Sequence, residues 1–216
     1  MSLDIPVLHA VTTGDVVAEP DFVARASAVM RAAGARGAVH LRAPELRAAR
    51  LFAVAVALAE VQAECGAWLV VNDRVDVARA AGARGAQLTA RSMTLADARR
   101  AAAGALRLGA SVHSADEARR AGRAGADWVV AGHVFETRSH PGAPGRGLDF
   151  VRELVGAAGV PVVAIGGVTP ADVPALRAAG VHGVAAIRGV WGAADVERAV
   201  TAYLSSYERD GSTNES

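Results

Sequence analysis

His40 and Arg42 close one short apolar run, Gly37-Ala-Val-His40-Leu-Arg42, while His113 follows Leu108-Gly-Ala-Ser-Val112 and His133 follows Trp128-Val-Val-Ala-Gly132. Runs of this length and composition, bounded by Gly, Pro, Asn or Ser, have the pattern of buried strands, so all four polar residues fall at strand ends. Residues two apart on a strand face the same way, which puts His40 and Arg42 on one side. An imidazole with an ordinary pKa of about 6.5 is suited to proton transfer near neutral pH, and His113 with His133 would bring two of them to one pocket. A single histidine of this kind is more often bonded to a backbone carbonyl. His133 differs because Val134-Phe135-Glu136-Thr137 and a loop holding Pro141, Gly142, Pro144, Gly145 and Gly147 follow it. Connections of this type usually run to about two to six residues, so a longer one rich in Gly and Pro has the character of a lid or ligand loop.

A second constellation suits a phosphate. Ala164-Ile165-Gly166-Gly167-Val168-Thr169-Pro170 and Ala185-Ala186-Ile187-Arg188-Gly189 both end apolar runs, and glycines there let backbone N–H groups approach an anion closely. Metal chemistry has little support: Asn72-Asp73-Arg74-Val75-Asp76 is the one polar cluster with carboxylates at a strand end, and Thr89-Ala90-Arg91-Ser92-Met93 after the next strand supplies no second acid. Asn72 and Asp73 are therefore expected to line the pocket or to cap the following helix, with no metal and no cofactor. No nucleophile elbow is present.

The elements that must position these residues repeat. Arg31-Ala-Ala-Gly34-Ala-Arg-Gly37-Ala recurs as Arg79-Ala-Ala-Gly82-Ala-Arg-Gly85-Ala, with looser copies at Arg120-Ala-Gly122-Arg-Ala-Gly125-Ala and Arg177-Ala-Ala-Gly180-Val-His-Gly183-Val. Each copy reads as the end of a helix, a glycine for the left-handed position past it, a tight turn and a strand. The series predicts strands at 6–12, 37–42, 67–72, 84–88, 107–113, 127–133, 161–165 and 183–188. Helices are predicted at 20–33, 44–64, 75–81, 94–104, 115–124, 147–158, 171–179 and 193–206. The fold class is thus α/β, a single-domain (β/α)8 barrel over 1–206, in which chemistry sits at the carboxyl ends of the strands. An open doubly wound sheet is disfavoured, since no Gly-x-Gly-x-x-Gly follows the first strand. Residues 207–216 read as a disordered tail.

Composition sets the outer limits. The 216 residues are 52% hydrophobic and 21% charged with a formal charge of +1, which gives a core-forming chain without a footprint for nucleic acid or an anionic membrane. All 23 basic residues are Arg, which excludes Schiff-base lysine chemistry and phosphate-loop lysines. The single Cys65 and a start without signal-peptide character fit a reducing cytoplasm. Helix-face alanines and a Trp191 expected to be exposed leave room for a homo-oligomer.

From about residue 6 to 206 the chain resembles the thiamine phosphate synthase and TenI superfamily, through Val71-Asn72-Asp73-Arg74-Val75-Asp76, Gly125-Ala126-Asp127 and Pro161-Val-Val-Ala-Ile165-Gly166-Gly167-Val-Thr-Pro170. Ser111-Val112-His113-Ser114 and Gly132-His133-Val134-Phe135-Glu136-Thr137, with Gly145-Arg146-Gly147, look like its TenI or thiazole tautomerase branch. The synthase branch has a Gln-x-Arg-x-Lys pattern where this chain has His40-Leu-Arg42-Ala-Pro44, and a second magnesium carboxylate after the fourth strand that is missing here. The resemblance implies an isomerase of thiamine biosynthesis, acting on a thiazole phosphate as small-molecule partner and converting its exocyclic-alkene carboxythiazole tautomer to the aromatic one. In that scheme His133 and His113 move the protons. Gly166, Gly167, Ile187 and Arg188, with Thr137 and Gly147, hold the phosphate side, His40 and Asn72 line the pocket, and Arg42 meets the carboxylate. The alternatives are thiamine phosphate synthase itself, a transferase, and a barrel that binds a thiamine-related phosphate without catalysis.

Overall fold

The computed structural model describes residues 5–137 and 142–208. Eight parallel strands close in sequence order into one barrel: β1 Leu8–Val11, β2 Gly37–Leu41, β3 Trp68–Asn72, β4 Gly85–Leu88, β5 Arg107–Val112, β6 Trp128–Gly132, β7 Val162–Ile165 and β8 Gly183–Ala186. The last strand returns to the first, with Leu8 opposite Val184 and Ala10 opposite Ala186. The helices are α1 Gly14–Ala18, α2 Phe22–Ala33, α3 Ala48–Cys65, α4 Val75–Ala81, α5 Leu95–Ala102, α6 Ala115–Arg123, α7 Gly147–Ala158, α8 Val173–Ala178, α9 Arg188–Trp191 and α10 Val196–Glu208. The (β/α)8 expectation is met.

The repeat works as its composition requires. Gly34, Gly82, Gly125 and Gly180 all take positive φ at the ends of α2, α4, α6 and α8, where a side chain would be strained and the chain must reverse into the next strand. Ser114 and Thr94 start α6 and α5 by accepting from the backbone N–H of Glu117 and Asp97.

Several boundaries differ from the expectation. The predicted eighth strand stops at Ala186, because Ile187 turns away and its carbonyl accepts from Trp191 N at 2.9 Å to begin α9. The short α1, capped by Thr13, has no counterpart in the predicted series. Trp191 is buried rather than exposed: it lies against the Phe22 ring at 5.8 Å and donates to Val11 O, so it offers no surface for a dimer. The last helix runs to Glu208, and residues 209–216 of the expected tail lie outside the described residues. Among the described residues no helix is long and apolar enough to cross a membrane.

Alternate residues of each strand face the bore. Trp68, Val70, Trp128, Val130, Val163 and Ala185 belong to a separate apolar cluster there. Trp128 fits because its neighbours have no side chains: a Cβ on Gly109 would stand 2.2 Å from Trp128 Cε2, and one on Gly85 would stand 3.1 Å from Cη2. Inserting carbon into a filled core typically costs about 1–3 kcal/mol. Gly109→Ala is accordingly expected to lower stability by about that amount in chemical denaturation while Gly104→Ala, with open space around its Cβ position but a positive φ, reports backbone strain alone. An unchanged midpoint for Gly109→Ala would contradict this packing.

Candidate active site

At the carboxyl ends of the strands lies a cavity of about 950 Å³, within the size range of small-molecule sites. His40, Arg42 and Asn72 reach it from β2 and β3, His113 and His133 from the ends of β5 and β6, and Thr137 from the segment beyond. Gly166, Gly167, Ile187 and Arg188 form the opposite wall. Of the predicted binding residues Gly147 does not reach it. That glycine starts α7, and its N–H donates to Val134 O at 2.9 Å, so it ties the loop after β6 to the barrel.

The two strand-end histidines are brought together through backbone. His113 Nδ1 donates to Gly132 O at 3.0 Å, immediately before His133, and His133 Nε2 donates to Pro144 O at 3.1 Å. Arg146 donates in turn to His113 O at 2.6 Å. Pro141, part of the expected lid loop, lies outside the described residues.

Gly166 and Gly167 have φ of 102° and 68°, and their chain nests against the β6 end: a Cβ on Gly166 would lie 2.5 Å from His133 Cβ, and one on Gly167 would lie 2.4 Å from Glu136 O. Tyr203 of α10 braces this wall from behind. Its hydroxyl donates to Val168 O at 2.8 Å and occupies the space beside Gly189, where a Cβ would approach to 2.1 Å. Burial, with the nearby Asp172 carboxylate, pushes the Tyr203 phenol up to about 12, so it remains a donor throughout the working range.

Asp73 neither lines the cavity nor caps a helix. Arg74 stands at the start of α4 without a side-chain cap bond, and Asp73, at φ 63°, turns its Oδ1 to the loop after β4. There Oδ1 accepts from Thr89 N at 3.2 Å, from Thr89 Oγ1 at 2.6 Å and from Ser92 Oγ. The other two acids of the resemblance are also structural: Asp76 pairs with Arg74 at 2.6 Å, and Asp127 accepts from Leu108 N at 2.7 Å and from Arg99 at 2.6 Å. Among the described residues no three His, Cys, Asp or Glu side chains are grouped to hold a metal ion. A single carboxylate whose oxygen already takes three donors does not fit a magnesium centre supplied by the protein.

Four arginines that sequence reasoning treated unevenly surround the mouth. Arg42, Arg91, Arg120 and Arg188 line the cavity, have no ion pair among the described residues, and are opposed by one lining carboxylate, Glu117. Gln87 and Ser111, which bond to each other at 3.1 Å, line the wall between them. Sequence reasoning missed both, although each carries the signal of a polar residue at an inward position of a buried strand. The result is a deep cavity with locally positive walls in a chain of nearly zero net charge, suited to a ligand with more than one anionic group.

Fold and site together define a (β/α)8 barrel with an arginine-lined cavity at the carboxyl ends of its strands. Residues 8–190 match the family described as thiamine monophosphate synthase, and the chain belongs to that family. It is 43% identical over 171 residues to the thiamine-phosphate synthase of Methanoculleus marisnigri, spanning 79% of this chain and 81% of that one. To the thiamine-phosphate synthase of Salinispora arenicola it is 44% identical over 145 residues, or 67% and 70% of the two chains. The solved structure of thiamine phosphate pyrophosphorylase from Pyrococcus furiosus superposes with a TM-score of 0.82 at 33% identity, over 94% and 95% of the chains. These relatives correct the expectation of an isomerase: they are named as synthases, which are transferases, and a branch assignment resting on His113 and His133 does not stand against them.

The wall of glycines leans on Tyr203 through one hydrogen bond. Tyr203→Phe leaves Val168 O without its donor and is expected to cost about 1 kcal/mol of stability and to weaken inorganic phosphate binding several-fold. Chemical denaturation and calorimetric titration of the variant beside the wild type check the two effects, and equal phosphate affinity would remove Tyr203 from the support of the site.

Proposed function

We propose that this chain is a transferase of the thiamine-phosphate-synthase kind, which joins a pyrimidine carried as its diphosphate to a thiazole phosphate and releases diphosphate. The names of the relatives support the reaction class. The observation that carries it on this chain's own residues is the set of four cavity-lining arginines without ion-pair partners among the described residues. Two phosphorylated substrates bring more negative charge than one glycine-rich wall accommodates, and guanidiniums are always charged and can bind phosphoryl oxygens in pairs.

In this reading the thiazole phosphate lies on the wall of Gly166, Gly167, Ile187 and Arg188, with Thr137 at its edge. The diphosphate lies opposite, toward Arg42 and Arg91, where the departing charge is met by guanidinium in place of the lysine of the synthase pattern. Because Asp73 is committed to Thr89 and Ser92, no step is assigned to a metal held there. The attacking nitrogen of an aromatic thiazole carries no hydrogen, so the coupling needs no base. His113 and His133 then serve to hold the strand ends and the following loop in place.

Incubating the protein with both partners and measuring thiamine phosphate by oxidation to its fluorescent thiochrome tests the reaction directly, and the absence of product above a protein-free control overturns it. Arg42→Ala is expected to raise KM for the diphosphate about 10-fold or more, the loss of one charged hydrogen-bonding group. His133→Gln is expected to keep coupling within about 10-fold, since a placed general base is typically worth about a hundred-fold or more and none is used here.

A further inference from the structure

Arg42 stands one residue beyond the end of β2, where the regular ladder of the barrel has stopped. A long side chain is useful at such a place only if the backbone that carries it is fixed. Thr12 holds the equivalent place on the neighbouring strand, one residue beyond the end of β1, and it is fully buried. Its N–H continues the parallel pattern by donating to His40 O at 3.0 Å. The next bond of that pattern would run from Arg42 N to the Thr12 carbonyl. It runs to the side chain instead: Thr12 Oγ1 accepts from Arg42 N at 2.8 Å and donates to Arg42 O at 3.1 Å.

One hydroxyl thus takes up both backbone polar groups of Arg42. A hydroxyl has one hydrogen and two lone pairs, so it can donate and accept at once and leave neither Arg42 group unpaired. Threonine suits the task because its branched Cβ leaves few χ1 rotamers, and its burial keeps water from competing for the two bonds. The far end of Arg42 is the opposite case. Its guanidinium lines the cavity and has neither a hydrogen bond nor an ion pair among the described residues, so its direction is set where its backbone is held.

We infer that Thr12 is a positioning residue for Arg42, whose hydroxyl locks the Arg42 backbone at the cavity rim and so aims a guanidinium with no other anchor at an incoming phosphoryl group. An arginine held in place before the ligand arrives loses less freedom on binding than one on a frayed strand end, and the difference goes into affinity. A valine in the same place would fill the same space and leave the Arg42 N–H and carbonyl without these bonds. That the anion is a diphosphate rests on the coupling reading; the lock does not.

Calorimetric titration of the full-length protein with sodium diphosphate tests this without turnover. Arg42→Ala is expected to weaken binding about 10-fold, and Thr12→Val, which keeps the shape and removes the hydroxyl, about 3- to 10-fold. Because Thr12 acts through Arg42, the double variant should bind no more weakly than Arg42→Ala alone, and Thr12→Ser should hold affinity within about twofold of the wild type. In turnover Thr12→Val should raise KM for the pyrimidine diphosphate and leave KM for the thiazole phosphate unchanged, a split that a general loss of stability does not produce. Wild-type affinity in Arg42→Ala or in Thr12→Val, no diphosphate binding at all, or a Thr12→Val loss that multiplies with that of Arg42→Ala each overturns the inference. Should Thr12→Val not fold, amide hydrogen exchange in the wild type and binding by Thr12→Ser decide: an Arg42 amide that exchanges freely, or a loss in Thr12→Ser as large as that in Arg42→Ala, refutes the lock. If no thiamine phosphate forms while diphosphate affinity still depends on Arg42 and Thr12 together, the coupling reading fails and the lock stands; if coupling proceeds and Thr12→Val binds as the wild type does, the reverse holds.

Discussion

A barrel of eight short strands holds only as much side chain as its bore allows, and Trp128 decides how that volume is shared. It is fully buried on β6, its ring stands nearly perpendicular to that of Trp68 with centroids 6.3 Å apart, and it fills the space that Gly85 and Gly109 leave open on β4 and β5. With large rings concentrated there, the inward positions nearer the carboxyl ends carry smaller or polar groups, and the bore opens into the cavity instead of closing as a packed layer. His9 sits at this transition, 6.3 Å from the Trp128 ring, and is not itself part of the cavity wall. Polar groups sealed in such a position must satisfy one another, which is why the ring-to-ring bond of His9 and His40 is as much a packing feature as an electrostatic one.

The charges follow a complementary logic. Around the outside, arginines are neutralised by carboxylates close at hand, as in Arg74 with Asp76, Arg100 with Asp97, Arg119 with Asp116 and Arg152 with Asp149. Such exposed pairs contribute little to stability, commonly about 0–1 kcal/mol, but they consume the acidic residues. The cavity arginines have no such partners among the described residues. A net charge of +1 therefore conceals a positive mouth on an evenly charged exterior, a distinction that composition averages away.

The architecture was legible because it is written locally and repeatedly. Helix end, glycine, turn and strand recur within a few residues at Gly34, Gly82, Gly125 and Gly180, and each glycine adopts the backbone its position demands. What local pattern cannot supply is a partner distant in sequence. Trp191 stands in a short stretch of small residues yet is buried through Phe22 and Val11, and His9 reads as one more residue of an apolar strand although its ring meets His40 from the neighbouring strand. Gln87 and Ser111 become site residues only once the parity of β4 and β5 fixes which way they face. Conversely Gly147 has the right sequence neighbours and the wrong direction.

The misassigned branch has the same origin. A histidine at a strand end suggests a proton carrier by its type and place, but His113 and His133 each spend a ring N–H on a backbone carbonyl of the β6 end or the loop beyond it. Together with Arg146 they bind the end of β5, the end of β6 and the approach to α7 into one unit. A bond that holds a loop is useful to any chemistry at this mouth, so the residues that carry it do not discriminate between a proton shift and a coupling. The missing acid after β4 is a different matter, because Thr89 and Ser92 turn the remaining carboxylate, Asp73, into the anchor of their own loop. Under the coupling reading proposed above, the charge of a diphosphate would be met by groups that cannot lose a proton, and in a chain without lysine the cavity offers arginines for that role.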